Sequence, residues 1–403
     1  MAIRTFGAAI YNPFLALYLF EILHVGYLEI GTVLLGVGAT QLPFGLLGGL
    51  WTDRAGRRRL IVLSLATEAT FTALLAYAFS IHSFGLVIVV AAGGGALLGA
   101  TGAAFSAYIA DWTIGSERTR GFTWYRISYN AGFAAGVAAG GILVALLGFT
   151  GAVVAAAFLI LGAAGFVAGF LGPSPYDETL RGGPTPVPGT RVAPVRRQAL
   201  RASLAALAGD RTAIYVAAAF ALLAVTSSQW NVTFSLFVHT KLGIPYAVLG
   251  LGLALNGVVV VVGQAPTTRW VLGHRHTTIA LAGGAFYVAA FLLLGISALW
   301  VLLPTAVFFV AVVVLTFGEN LLSIPNSTLP SNLAPPEEVG AYNGGFGALQ
   351  TAAALLATFV GGAVLAGVAN PLEEWALLVL PAIPGMLLLR IVARRIPTAI
   401  DRA

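Results

Sequence analysis

Two carboxylates stand where so apolar a chain can least tolerate them. Glu68 and Glu319 each fall well inside a long hydrophobic stretch, at 60–80 and 299–326. A lone carboxylate at bilayer depth is costly when charged, so it can take up and release a proton as it moves between wet and closed-off surroundings. Asn320 and Asn326 share the stretch of Glu319, whereas Glu68 has neighbouring Ser and Thr groups to bond as a structural acid. A third charge, Arg126, lies about two turns inside the stretch 121–148. A buried arginine needs an anionic partner or a water-filled path. Arg126 therefore either meets an anionic group of a ligand or is tied to Asp111 and the inner headgroups.

The elements that hold these charges are membrane-length. Hydrophobic residues make up 59% of the 403 and charged residues 9%, against about a quarter charged in a soluble domain. An apolar span needs about 20 residues. The chain reads as twelve such spans: 5–24, 28–52, 60–80, 84–111, 121–148, 151–171, 212–239, 246–271, 277–296, 299–326, 340–368 and 373–394. Asn12, Pro13 and Glu21 interrupt the first. That first stretch lacks a small-residue cleavage site, so no cleavable signal peptide is expected. With no cysteine, disulfides and thiolate metal sites are excluded. The histidines (24, 82, 239, 274 and 276) lie in or near loops without an acidic ligand cluster. No metal, cofactor, nucleotide-binding domain or enzyme activity is expected.

Charge sets the expected orientation. With these spans, 20 of the 21 Lys plus Arg residues fall on one side, and only Lys241 falls opposite. The positive-inside rule makes that side, including both termini, cytoplasmic in the cell membrane. The net charge of +6 thus reports topology and not nucleic-acid binding. A polar interruption at 172–211, rich in proline, reads as an extended solvated spacer. Its second part, Val195–Asp210, puts Leu200, Leu204 and Leu207 on one face beside Arg196, Arg197 and Arg201. That suits either a surface-lying amphipathic helix or a lead-in to the next span. The expected division is an N-terminal six-helix bundle at 1–171, the spacer at 172–211, and a C-terminal six-helix bundle at 212–403.

Between spans two and three the chain reads Gly49-Leu-Trp-Thr-Asp53-Arg54-Ala-Gly56-Arg57-Arg58-Arg59. Asp53 ends span two and Asp111 ends span four. Arg54, Arg57 and Arg58 can bridge such carboxylates with charge-assisted bonds, while Gly49 and Gly56 permit close packing and a tight turn. A purely topogenic basic loop is the plainer alternative. The order G-x-x-x-D-R-x-G-R-R resembles the signature of the major facilitator superfamily. The resemblance implies an all-α membrane protein with twelve transmembrane helices in two pseudo-symmetric six-helix bundles. It also implies a conformational latch, with Asp53 facing the start of span eleven near Gly340. The latch would hold the halves together when the cavity opens outward and break when it opens inward.

Span five carries Gly132-Phe-Ala-Ala-Gly136-Val137-Ala-Ala-Gly140-Gly141. Glycines at i, i+4 and i+8 let another helix approach closely, and packing alone would account for them. The spacing also resembles the antiporter signature G-x-x-x-G-P-x-x-G-G of drug/proton exchangers, with Val137 at the proline position. Span four lacks the arginine such exchangers often carry. In the family, spans one, four, seven and ten line the central cavity. The resemblance thus places Tyr11, Asn12 and Tyr18 of span one on its wall, with Gln229, Trp230 and Asn231 of span seven and Asn320 of span ten. Each of these has core or interfacial packing as its alternative. An aromatic wall with sparse polar groups suits an amphipathic organic ligand.

The expectation is a monomeric secondary transporter in the lipid bilayer, exchanging protons for such compounds by alternating access. An uptake symporter or facilitator for a sugar or organic anion is the alternative, and a lipid flippase or a non-transporting sensor on the same scaffold is a third.

Overall fold

Helices are the natural outcome for this chain, because a backbone in hydrocarbon must satisfy its own polar groups. A computed structural model describes residues 1–113, 116–180, 205, 207–230, 232–299, 303–335 and 338–402. These residues form helices throughout, without a named strand. Eight of the helices described are long and apolar enough to cross a membrane. Asn231 and most of the expected amphipathic segment, including Leu200 and Leu204, lie outside the described residues, as does the side chain of Asp53.

The chain divides into two compact units, Met1–His24 with Val33–Val195, and Val25–Thr32 with Arg196–Ala403. The second unit thus includes Val25–Thr32, whose last five residues open expected span two. Unit 1 holds α1 (Ala2–Tyr11), α2 (Leu15–Glu21), most of α3 (Tyr27–Ala55), α4 (Arg57–Ser80), α5 (Phe84–Trp112), α6 (Ser116–Phe170) and α7 (Pro175–Leu180). Helix α6 covers expected spans five and six; it breaks at Gly148, whose φ of 70° a side chain would resist. Unit 2 holds α8 (Arg211–Ser227), α9 (Thr233–Thr240), α10 (Tyr246–Val271), α11 (His276–Ser297), α12 (Pro304–Leu333), α13 (Val339–Gly367), α14 (Pro371–Val379) and α15 (Ala382–Val392).

Each unit opens with a helix interrupted near its middle. A 3-10 turn at Asn12–Phe14 separates α1 from α2, where Pro13 supplies no amide donor. A second turn, Ser228–Trp230, lies between α8 and α9. The polar residues expected to face a ligand cluster at these two turns, so the local change of helical pitch decides which of them do.

The glycine stripe explains how α1 is seated. A methyl group built on Gly132, Gly136 or Gly140 would overlap the carbonyl oxygens of Ala2, Phe6 and Ile10 respectively. Both helices thus advance four residues per contact and run parallel, backbone to backbone. Gly141 is buried beside this seam. Replacing Gly136 with alanine should cost about 1–3 kcal/mol through overpacking, read as a lower midpoint of thermal unfolding in detergent.

The expected extended spacer does not begin as one. Its residues Pro175–Leu180 form α7, and Asp177 is buried. The reason is the side chain's destination at the start of α4.

Candidate functional site

In unit 1, the seating of α1 turns Arg4 toward α4. Arg4 Nε donates to Glu68 Oε2 at 2.7 Å, and both side chains are almost fully buried. Glu68 stands eleven residues into α4, about 16 Å from its start, which is half of a hydrocarbon core about 30 Å thick. Arg4 was counted only as a topogenic charge in the sequence; it is the counter-ion of the buried acid. Its Nη2 has no hydrogen-bond partner.

Glu68 also lines a cavity of about 140 Å³ with Tyr11, Asn12, Gln41 and Thr72. The structure therefore brings together three of the expected residues, Tyr11, Asn12 and Glu68. Tyr18 is a correction. It is buried, stacks on Phe79 with ring centroids 3.5 Å apart, and donates its hydroxyl to the Phe79 carbonyl. Below the 3-10 turn this helix faces its own bundle. Arg126 is a second correction, being exposed and not buried. Since Ala2 meets Gly132, Arg126 lies about 9 Å beyond the start of α1.

At the arginine-rich end of unit 1, the basic turn gathers carboxylates from distant parts of the chain. Arg57 Nε donates to Asp111 Oδ2 at 3.1 Å, Ser174 Oγ donates to the same oxygen at 2.8 Å, and the Arg57 guanidinium lies over the Tyr176 ring. Arg58 donates to the carbonyls of Leu171 and Ala168, which end α6. Arg54 is exposed. Asp177, which no sequence motif marks, accepts from the backbone amides of Arg57, Arg58 and Ser174. A carboxylate there satisfies orphan donors and meets the positive end of the helix dipole. Gly56 has φ 88°, and a Cβ on it would press on Asp177 Oδ1. The glycine of the signature makes room for an acid from the expected spacer. Asp177→Ala should cost about 1–2 kcal/mol as a lost cap, checked by thermal unfolding against the parent.

In unit 2, Glu319 lines a second cavity, of about 200 Å³. Ser227, Tyr287, Ser323, Asn326 and Gln350 line it too, and Phe220, Leu223 and Leu322 supply apolar wall. Asn256 Nδ2, from α10, donates to Glu319 Oε2 at 2.9 Å and to Thr316 Oγ1 at 3.0 Å. Asn326 and Gln350 exchange two amide hydrogen bonds, at 2.9 and 2.6 Å, between α12 and α13. Asn256 and Gln350 escaped the sequence reading because each is an uncharged amide whose partner lies on another helix of the bundle.

Gln229 is a further correction. It is buried, donates to the carbonyls of Val225 and Ala357, and accepts from Thr233 Oγ1 at 2.6 Å, so its amide is fully engaged by the protein. Trp230 is half-buried and packs on Phe234. Asn320 is buried with its Nδ2 3.4 Å from the Val259 carbonyl, away from the residues lining the cavity. No cluster of metal-binding side chains occurs among the described residues.

A buried acid, Glu68, and a part-buried one, Glu319, each open onto a small cavity inside apolar, membrane-length helices, the marks of a multi-pass membrane transporter. The sequence profile of the Major Facilitator Superfamily matches residues 1–393, and the chain belongs to that superfamily of transporters. It is 36% identical to the class D tetracycline resistance protein of Salmonella ordonez over 112 residues, which cover 28% of this chain and 27% of that protein. That match spans about a quarter of the relative's length. To the MFS-type transporter YttB of Bacillus subtilis (strain 168) it is 24% identical over 372 residues, covering 91% of this chain and 86% of that one. Among solved structures, the nucleoside transporter NupG superposes with a TM-score of 0.75 at 14% identity, covering 97% of this chain and 98% of its own. A bacterial homologue of the iron transporter ferroportin in an inward-facing state gives 0.72 at 16%, covering 98% and 96%. These structures share the fold alone.

Proposed function

We propose that this transporter works by alternating access and exchanges protons for amphipathic organic compounds, with Glu319 carrying the proton and the arginine-rich ends of both units in the cytoplasm. The observation that carries the reading is the unit 2 cavity. A carboxylate, an amide pair and a tyrosine meet there on a space otherwise walled by Phe220, Leu223 and Leu322. Mixed walls of this kind suit a ligand with one polar and one apolar side. An acid inside the cavity can give up its proton as the ligand enters. The partial relatives named for resistance to tetracycline, a fused-ring organic compound, agree with this class of cargo. The glycine stripe adds nothing to the reading, since the seating of α1 accounts for it. Glu68, already neutralised by Arg4, serves the fold and not the proton.

The same reading keeps the latch as a proposal. Asp53 would bind the start of α13 in one state and release it in the other, with Arg54, Gly49 and the Arg57–Asp111 network holding the turn in shape. Arg126 and Trp230 would meet the cargo from their own units. The protein would act as a monomer.

The test is flux in proteoliposomes with ethidium as the probe. An imposed pH gradient should drive ethidium movement, and reversing the gradient should reverse it. Movement indifferent to the gradient would contradict the proposal. One observation favours a second reading: the unit 1 cavity, at about 140 Å³ and with five polar liners, suits a small polar solute. Saturable uptake of a sugar or organic anion, without ethidium flux, would select that symporter or facilitator instead.

A further inference from the structure

We infer that the C-terminal tail completes a second hinge, in unit 2, and that its buried carboxylate, Asp401, governs how fast the transporter turns over and not how tightly it holds its cargo. The turnover clause rests on the transport reading above; the hinge rests on geometry alone.

The basic turn before α11 reads Gly273-His274-Arg275 and has no acid of its own. Like the turn before α4 it holds a glycine at positive φ, 83° at Gly273 against 88° at Gly56, though Gly273 stands three residues before its helix and Gly56 directly before. The missing acid comes from the far end of the chain. Asp401 Oδ1 accepts from the Thr277 amide at 2.9 Å, and Oδ2 accepts from Thr277 Oγ1 and Arg275 Nε, both at 2.6 Å. The Asp401 carbonyl accepts from the His276 amide at 2.6 Å. Thus the first two amides of α11 are capped by Asp401, His276 by its main-chain carbonyl and Thr277 by its carboxylate, from beyond the last helix of the unit. In unit 1 Asp177 plays the corresponding part at α4, where its carboxylate takes both first amides.

The correspondence extends to the arginines. Arg58 ties its turn to the carbonyls that end α6, and Arg275 donates through Nη2 to the carbonyls of Ala393 and Ile396 just past α15. The tail is docked and not merely adjacent. Asp401 has no exposed surface, Ile396 sits in the core of unit 2 with Ile400 packed against it, and Asn332 Nδ2 donates to the Ile400 carbonyl at 3.1 Å. A carboxylate so placed, removed from water and holding three donors in register, fastens the start of one helix to the end of another. In unit 2 that fastening makes the arginine-rich end move as one body, which alternating access requires of each half.

The chain has no cysteine, so spin labels at Thr278→Cys and Arg394→Cys, both exposed positions, report on the hinge without background. The parent should give one narrow distance distribution, and Asp401→Asn should broaden it. In proteoliposomes Asp401→Asn should slow proton-driven ethidium movement about tenfold, the scale of one charge-assisted hydrogen bond, with ethidium affinity in detergent unchanged. Arg275→Gln combined with Asp401→Asn should be no slower than either alone, and Asp401→Glu should recover part of the rate. A parent-like distance distribution in Asp401→Asn overturns the hinge. Parent-like turnover, or a loss of affinity in step with the loss of rate, overturns its role in turnover. If the parent itself moves no ethidium, the transport reading fails, and the spin-label distances still decide the hinge.

Discussion

Arg4→Met alone should destabilise the protein severely, and Arg4→Met combined with Glu68→Met should not. Removing one member of a buried ion pair leaves the other charged and unsolvated, at a cost of about 3–5 kcal/mol. Replacing both with apolar side chains of similar size is neutral or stabilising by about 1–4 kcal/mol, because the desolvation penalty goes with the charges. Two features here push toward the larger effects. The pair is buried on both sides at half-membrane depth, and Arg4 Nη2 already lacks a partner. Thermal unfolding of the purified variants in detergent gives the comparison. A single variant as stable as the parent would mean that water reaches Glu68 and that the pair is not what holds α1 to α4. The double variant should also keep proton-driven ethidium movement, since the account assigns the proton to Glu319.

Glu319→Gln should abolish coupling while leaving the fold intact. The amide oxygen of glutamine can still accept from Asn256, so the contact between α10 and α12 survives. One pH unit corresponds to about 1.4 kcal/mol per proton. For one-for-one exchange, a gradient of one unit should therefore build an ethidium ratio of about ten in the parent and about one in Glu319→Gln. Fluorescence of entrapped ethidium reads the ratio directly. A variant that still concentrates ethidium along the gradient would move the proton site elsewhere.

Much of this was legible in the sequence, because membrane proteins write their fold in apolar runs. The runs, the one-sided arginines and the turn at Gly49–Arg59 lead to the helical transporter fold, and Glu319 stands out as an acid with no business in hydrocarbon. What stayed hidden was pairing across the bundle. Nothing near Arg4 says that its partner is 64 residues away, so it reads as one more topogenic charge. Asp177 and Asp401 sit in a proline-rich stretch and a tail, where acids are ordinarily solvated. Tyr18 and Gln229 were misplaced for a different reason. Tyr18 follows a 3-10 turn and Gln229 lies within one, and such a turn resets the helical phase, so membership of a cavity-lining span does not fix which way a side chain points. The glycine stripe resembled an exchanger signature save at Val137, with helix packing as its alternative, and the carbonyls of Ala2, Phe6 and Ile10 are the partners that the stripe alone could not name.

The most direct test of the central claim is proton release on binding. In weakly buffered detergent solution at a pH where Glu319 is protonated, adding ethidium to the parent should release one proton per transporter, followed with a pH-indicator dye. The account predicts that Glu319→Gln binds ethidium and releases none, while Arg4→Met combined with Glu68→Met releases as the parent does. Release that persists in Glu319→Gln and disappears in the double variant would contradict it, and would place the proton on Glu68.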